Sequence, residues 1–154
     1  MRTAAALLAA LLIPVLYVSA AYASPTRAEF LRKGDAVCAQ TKRELAPIVK
    51  RAQAAKSLPV SQQWAALADI WSDQIVIQKR FTTRFKAIGV PAGDSTARAL
   101  VALLDRGVVL AQRVQQGFAT HDVVVLQTAL PAYLRLALTT NKRVIAYGFH
   151  TCGR

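Results

Sequence analysis

The chain has 154 residues and carries 20 lysines and arginines against 8 aspartates and glutamates, a formal net charge of +12. This length is one domain's worth of chain and is enough to bury a real core. Several metal centres are excluded by composition. A di-iron bundle needs two Glu-x-x-His motifs and two further glutamates, whereas only Glu29 and Glu44 are present, and no C-x-x-C-H motif for covalent haem occurs.

The N-terminal segment predicts a secretory signal peptide. Arg2 is the only charged residue before Arg27, and an apolar run follows it over residues 4–18. The sequence A-Y-A at residues 21–23 then provides small side chains at the positions that signal peptidase inspects. The alternative is an uncleaved membrane anchor, which needs about 20 apolar residues. Pro14 and the A-Y-A site favour cleavage.

Cleavage after Ala23 leaves a single mature domain, residues 24–154, of 131 residues. The loss of Arg2 leaves 19 basic against 8 acidic residues, a charge of +11. The only methionine, Met1, is also lost, which excludes a Met/His haem ligand pair. We therefore expect an extracytoplasmic protein of the periplasm, the cell envelope or the medium, with no membrane span after cleavage.

The two cysteines, Cys38 and Cys152, predict one disulfide. In an oxidising exported setting an even number of cysteines is typical of disulfide bonding. The alternative is a pair of free, buried thiols. A bond between these residues would close a loop of nearly the whole mature chain, which on the chain-entropy account stabilises the fold by about 4–5 kcal/mol.

The mature sequence shows four apolar stripes at helical spacing and no period-two alternation. Thr26 and Glu29 form the pattern of a capping box at the start of the first helix. Pro47 and Pro131 are expected to bend the helices that contain them. The predicted helices run from Thr26 to about Lys56, from near Ser61 to Gly89, from Asp94 or Ser95 to about Phe118, and from about Asp122 to Tyr147.

Short turns between these helices favour an all-α, up-down-up-down four-helix bundle. In that topology the end of the fourth helix lies beside the start of the first. Cys38 is early in the first helix and Cys152 just follows the fourth, so the predicted disulfide is compatible with the required separation of about 5–6 Å between α-carbons.

Three short motifs resemble a group of small exported helical proteins that is common in actinobacteria. The first is F-L-x-x-x-D-A-x-C, from Phe30 to Cys38. The second is G-V-P-A-G-D, from Gly89 to Asp94. The third is Y-G-F-x-x-C-G, from Tyr147 to Gly153. The resemblance covers most of the mature chain. It implies the same disulfide and an extracytoplasmic location, and it implies no activity.

Positive charge is the strongest deviation from average composition, and it predicts an anionic partner. We expect an envelope polymer, lipid head groups or an acidic protein rather than a specific nucleic acid, because the aromatic side chains follow the core period. The alternative is that the charge reflects only the composition of the proteome. The candidate surface consists of Lys42, Arg43, Lys50, Arg51, Lys79, Arg80, Arg84 and Lys86.

Polar residues within or beside the apolar stripes suggest a second possibility. Gln74, Gln78 and Asn141 are candidates for a buried polar layer or for the lining of a pocket between helices. A pocket would make the protein a carrier of a small ligand. The alternative is a hydrogen-bonded network that fixes the register of the helices.

No motif in the sequence predicts catalysis, a metal or a cofactor. His121 and Asp122 at a turn are typical of a helix cap, and His150 is expected near the disulfide as a surface or packing residue. Asp69 and Asp73 share one helix face that points away from the core. We therefore expect a non-enzymatic protein, and the oligomeric state is left open.

Overall fold

The computed structural model of the protein describes residues 24–153, so the predicted signal peptide, residues 1–23, lies outside the described residues. The described chain consists of four α-helices and contains no β-strand. The predicted all-α bundle is therefore confirmed. The helices are α1 (Arg27–Ala55), α2 (Val60–Lys86), α3 (Ser95–Ala119) and α4 (Val123–Tyr147).

Side-chain caps define where three of the helices begin. The Thr26 hydroxyl accepts a hydrogen bond from the Glu29 N–H, and the Glu29 carboxylate accepts one from the Thr26 N–H, as the capping box predicts. Asp94 and Asp122 cap α3 and α4, each accepting from the backbone N–H three residues later, at 2.8 and 2.9 Å. Gly148, at φ 114°, ends α4 in the left-handed conformation that favours glycine.

The helices pack in chain order: α1 on α2, α2 on α3 and α3 on α4. In the part of the chain that the structure describes, α1 and α4 make no close backbone contact. α1 and α4 each continue through their proline, Pro47 and Pro131. The bundle is thus joined between its first and last helices by side chains and by the C-terminal tail, rather than by a fourth helix–helix interface.

An aromatic cluster connects the start of α1 to the end of α4. Phe30 and Phe149 are almost completely buried, and their ring centroids lie 5.7 Å apart. Phe85 from α2 and Tyr147 from α4 complete the cluster, with centroids 5.6 and 6.0 Å from that of Phe30. A Cβ at Gly34 would lie 2.5 Å from the Phe149 ring. Only glycine therefore lets α1 and the tail pack this closely.

The predicted disulfide is present beside this cluster. Cys38 and Cys152 are bonded, with their α-carbons 5.3 Å apart and a sequence separation of 114. At the opposite end of the bundle, a smaller buried cluster joins α1 to α2 alone through residues such as Ile48 and Ile77. The disulfide and the aromatic cluster therefore lie at the end of the bundle where α1 meets the last residues of the chain.

Candidate functional site

Some of the eight cations of the predicted anion-binding surface form salt bridges, and the others do not. Three of them form salt bridges and so have part of their charge neutralised: Arg51 with Asp73, Arg84 with Glu44, and Lys86 with Asp105. The hydrogen bond from Arg84, 2.7 Å long, lowers the pKa of Glu44. The other five are exposed and form no salt bridge within the described residues: Lys42, Arg43, Lys50, Lys79 and Arg80.

Three arginines outside that predicted surface line one groove between α3 and α4. The groove has a volume of about 340 Å³ and is lined by Arg106 from α3 and by Arg135 and Arg143 from α4. We call it the arginine groove. All three arginines are exposed, and none forms a salt bridge within the described residues. The remaining lining residues are apolar or hydroxylic: Leu103, Leu110, Ala132, Leu136 and Thr139.

Helical spacing explains why these side chains meet. Arg135, Thr139 and Arg143 follow one another at intervals of four residues, so they share one face of α4. Arg106 faces them because α3 packs directly against α4. No acidic residue lines the groove, and α4 contains neither aspartate nor glutamate along its whole length. The positive charge of the groove is therefore not compensated locally.

A second depression adjoins the arginine groove and shares Arg143 with it. It has a volume of about 630 Å³ and lies between the end of α4 and the starts of α1 and α3. Arg27 lies 4.6 Å above the Tyr147 ring and donates a hydrogen bond of 2.7 Å to the Tyr147 carbonyl. The Tyr147 hydroxyl in turn donates to Asp94 at 2.7 Å.

This arrangement shifts the pKa of both hydrogen-bonded groups. Burial and the hydrogen bond to Asp94 raise the pKa of Tyr147 to about 12. The Ala97 N–H and the Tyr147 hydroxyl both donate to Asp94 and lower its pKa. Both shifts favour the state in which a neutral Tyr147 phenol donates to an ionised Asp94 carboxylate. Because Asp94 is acidic and already occupied, the adjoining depression is less suited to an anion than the arginine groove.

Asp35 fixes the C-terminal tail to α1, a role that helical periodicity did not indicate. Its carboxylate accepts hydrogen bonds from three consecutive backbone N–H groups, those of His150, Thr151 and Cys152, at 3.0, 2.7 and 3.2 Å. Burial raises the pKa of Asp35, but the three hydrogen bonds outweigh it, and the net pKa lies below its usual value. The carboxylate thus holds the backbone on which Cys152 lies.

Replacing Asp35 with asparagine is expected to lower the free energy of unfolding at neutral pH by about 1–3 kcal/mol, because hydrogen bonds to a charged acceptor are lost. The folded-state pKa is lowered, so this stabilisation is complete above the unfolded-state pKa of about 3.9 and is lost as the pH falls through the folded-state value. Denaturant unfolding of the wild type and the Asp35→Asn variant at pH 7 and in acid measures the difference.

The difference between the two proteins should shrink on acidification. The exposed Asp69 provides the matched control, and Asp69→Asn should change the free energy of unfolding little at either pH. A difference for Asp35→Asn that stays constant from neutral pH to strong acid would contradict the assigned role of the carboxylate.

The three polar candidates do not form one site. Gln78 and Asn141 line a crevice of about 130 Å³ among α2, α3 and α4. Asn141 is exposed and so lies at the rim, whereas the Gln78 Oε1 atom is buried and has no hydrogen-bond partner among the described residues. Gln74 lies outside the crevice lining and donates a 2.8 Å hydrogen bond to the Tyr133 hydroxyl, whose pKa is raised by burial.

Asp122, His121 and His150 occupy a helix cap, an aromatic contact and the surface, respectively. Asp122 caps α4, and the His121 ring before it lies 5.0 Å from the Trp64 ring. The His150 side chain is at the surface. Within residues 24–153, no group of three or more histidine, cysteine, aspartate or glutamate side chains is placed to hold a metal ion.

The protein is an all-α four-helix bundle with a disulfide between α1 and the C-terminal tail and with an arginine-lined groove between α3 and α4. No family model matches the chain, and no curated protein or solved structure is significantly similar to it.

Proposed function

We propose that the mature domain is an exported, non-enzymatic protein that binds an anionic partner through the arginine groove. One observation carries this proposal: Arg106, Arg135 and Arg143 converge on a groove that has no acidic lining residue. The disulfide and the predicted signal peptide support an extracytoplasmic location. Membership of the exported helical group that the terminal motifs resemble is part of the same proposal.

The chemistry of the groove favours phosphate or carboxylate groups. Guanidinium groups present planar donors that bind such oxyanions in a bidentate manner. A groove of about 340 Å³ that is lined by three arginines has room for more than one such group, as a chain or a surface would present. Envelope polymers, lipid head groups and acidic proteins all offer such groups.

Removing the charge of the groove is expected to weaken binding of inorganic polyphosphate by at least about tenfold, the effect of losing about 1.4 kcal/mol. The variant is Arg106→Gln, Arg135→Gln, Arg143→Gln, and titration calorimetry at low ionic strength measures its affinity. Binding by the wild type should also weaken as salt rises, because exposed charges are screened.

A matched control removes the same charge from the surface that sequence alone favoured. Lys42→Gln, Arg43→Gln, Lys50→Gln also lowers the net charge by three, at exposed positions of α1. This variant should keep most of the affinity. An equal loss in both variants would show that net charge, and not the groove, controls binding. Wild-type affinity that does not depend on salt would also contradict the proposal.

The alternative of a small-ligand carrier has one observation in its favour, the buried Gln78 oxygen without a partner beside the crevice of about 130 Å³. Ligand pockets usually have volumes of about 300–1,000 Å³. At about 30 Å³ for each water, the crevice has room for a few water molecules, one of which would satisfy Gln78. The arginine groove is therefore the better-supported site.

A further inference from the structure

One face of α4 is apolar and lies open to solvent. Four large apolar side chains, which we call the apolar stripe, are exposed along it: Val124, Leu134, Leu138 and Ile145, with exposed fractions of 71%, 51%, 63% and 41%. Their spacing of ten, four and seven residues places them on one side of the helix. Of all the residues of α4, only Ala129 and Tyr147 are buried.

Cations lie along the same face. Lys142 follows Leu138 by four residues and precedes Ile145 by three, so it lies within the stripe. Arg135 precedes Leu138 by three residues and also belongs to the arginine groove. The helix thus offers apolar side chains beside Lys142 and the groove cation Arg135, with no acidic residue on α4 to oppose an anionic surface.

We infer that the apolar stripe, bordered by Lys142 and by Arg135 of the arginine groove, docks α4 on a lipid bilayer that contains anionic head groups. This inference rests on the proposed function, and it names the partner of the same groove. A helix that presents an apolar face bordered by lysine and arginine binds at the membrane interface, with its axis in the plane of the bilayer. The leucines enter the boundary between head groups and acyl chains, while the long basic side chains reach the phosphates.

The charges of α4 favour a lipid surface over a second copy of the chain. Two copies that met through the stripe would bring Arg135 and Lys142 of each α4 close to the same cations of the other, without any α4 carboxylate between them. Uncompensated like charges at an interface oppose association. An anionic bilayer instead supplies the opposite charge along the whole helix.

α4 is also apolar and long enough to span a membrane by length and composition alone, since its mean hydropathy reaches 1.3. Spanning would place the charged Arg135 side chain near the middle of the hydrocarbon, which is strongly unfavourable. It would also separate α4 from α3, on which it packs. Docking parallel to the surface keeps both the helix packing and the hydration of the cations.

Flotation with vesicles tests the inference. Vesicles of phosphatidylcholine containing phosphatidylglycerol should bind the mature domain, and vesicles of phosphatidylcholine alone should not. The variant Leu134→Gln, Leu138→Gln should lower partitioning into the anionic vesicles by at least about tenfold, because less apolar surface enters the bilayer. Both leucines are more than half exposed, so the substitutions should leave the fold intact.

The control is Val49→Gln, Val60→Gln, which removes apolar side chains that are 54% and 72% exposed on α1 and α2. It should leave partitioning unchanged. Hydrogen exchange should show new protection of α4 when vesicles bind, and protection confined to α1 and α2 would overturn the inference.

The outcomes separate this inference from the proposed function. If polyphosphate binds through the groove arginines but anionic vesicles do not bind, or bind equally well to Leu134→Gln, Leu138→Gln, the lipid inference is overturned and the proposed function stands. If neither probe binds, both are overturned. If the domain is a dimer in solution and Leu134→Gln, Leu138→Gln makes it a monomer, a second copy covers the stripe and the lipid inference is overturned.

Discussion

Replacing both cysteines with serine is expected to lower the free energy of unfolding by about 4–5 kcal/mol, because the bond closes most of residues 24–153 into one loop and its loss restores the entropy of the unfolded state. Cys38 and Cys152 are separated by 114 residues. For a domain of this size the loss corresponds to a decrease in melting temperature of roughly 10–20 °C. Thermal unfolding of the Cys38→Ser, Cys152→Ser variant followed by circular dichroism measures it.

Two comparisons make this test sharper. Reduction of the wild type should give nearly the same melting temperature as the double variant, because both remove only the cross-link. The exposed double variant Val49→Gln, Val60→Gln should melt close to the wild type. A reduced protein that melts at the wild-type temperature would contradict a stabilising role for the bond.

Replacing Phe30 with alanine is expected to lower the free energy of unfolding by about 3–5 kcal/mol. Phe30 has no exposed surface, and its ring contacts the rings of Phe85, Tyr147 and Phe149 in edge-on arrangements. The cavity left by the ring would lie where α1, α2 and the tail meet. Denaturant unfolding of the Phe30→Ala variant provides the measurement.

Phe118 offers a control of identical chemistry. It is half-buried at the C-terminal end of α3 and packs on Trp64, with ring centroids 5.9 Å apart. Phe118→Ala should therefore cost clearly less than Phe30→Ala. Equal losses would mean that the aromatic cluster at the tail has no special place in the stability of the fold.

The fold was largely predictable because its signals are local. Thr26 and Glu29 mark the start of α1 through hydrogen bonds between neighbouring residues. Gly148 marks the end of α4 through its own left-handed backbone conformation. Apolar periodicity then identifies each helix. The disulfide was predicted from the cysteine count together with the predicted signal peptide.

The arrangement of α1 relative to α4 was less predictable. Bundle topology placed the end of α4 beside the start of α1, but it did not indicate that these helices meet through side chains and the tail rather than through a full interface. The Asp35 carboxylate that holds the tail acts on backbone groups more than 110 residues away. No spacing rule along one helix detects such a contact.

The arginine groove was missed for a related reason. Its cations come from two helices, Arg106 from α3 and Arg135 and Arg143 from α4, and only their packing brings them together. Sequence reasoning favoured runs of adjacent basic residues such as Lys42-Arg43. Some cations of that predicted surface, Arg84 among them, are engaged by carboxylates from neighbouring helices. Counting charges along a chain cannot separate neutralised cations from available ones.

The most direct measurement is a titration of the mature domain with polyphosphate, followed through the NMR signals of the arginine side-chain Nε–H groups. If the arginine groove is the binding site, the signals of Arg106, Arg135 and Arg143 shift first and saturate together. If those signals stay fixed while the signals of Arg43, Arg51 or Arg80 shift, the anionic partner binds elsewhere, and the proposed function of the groove is wrong.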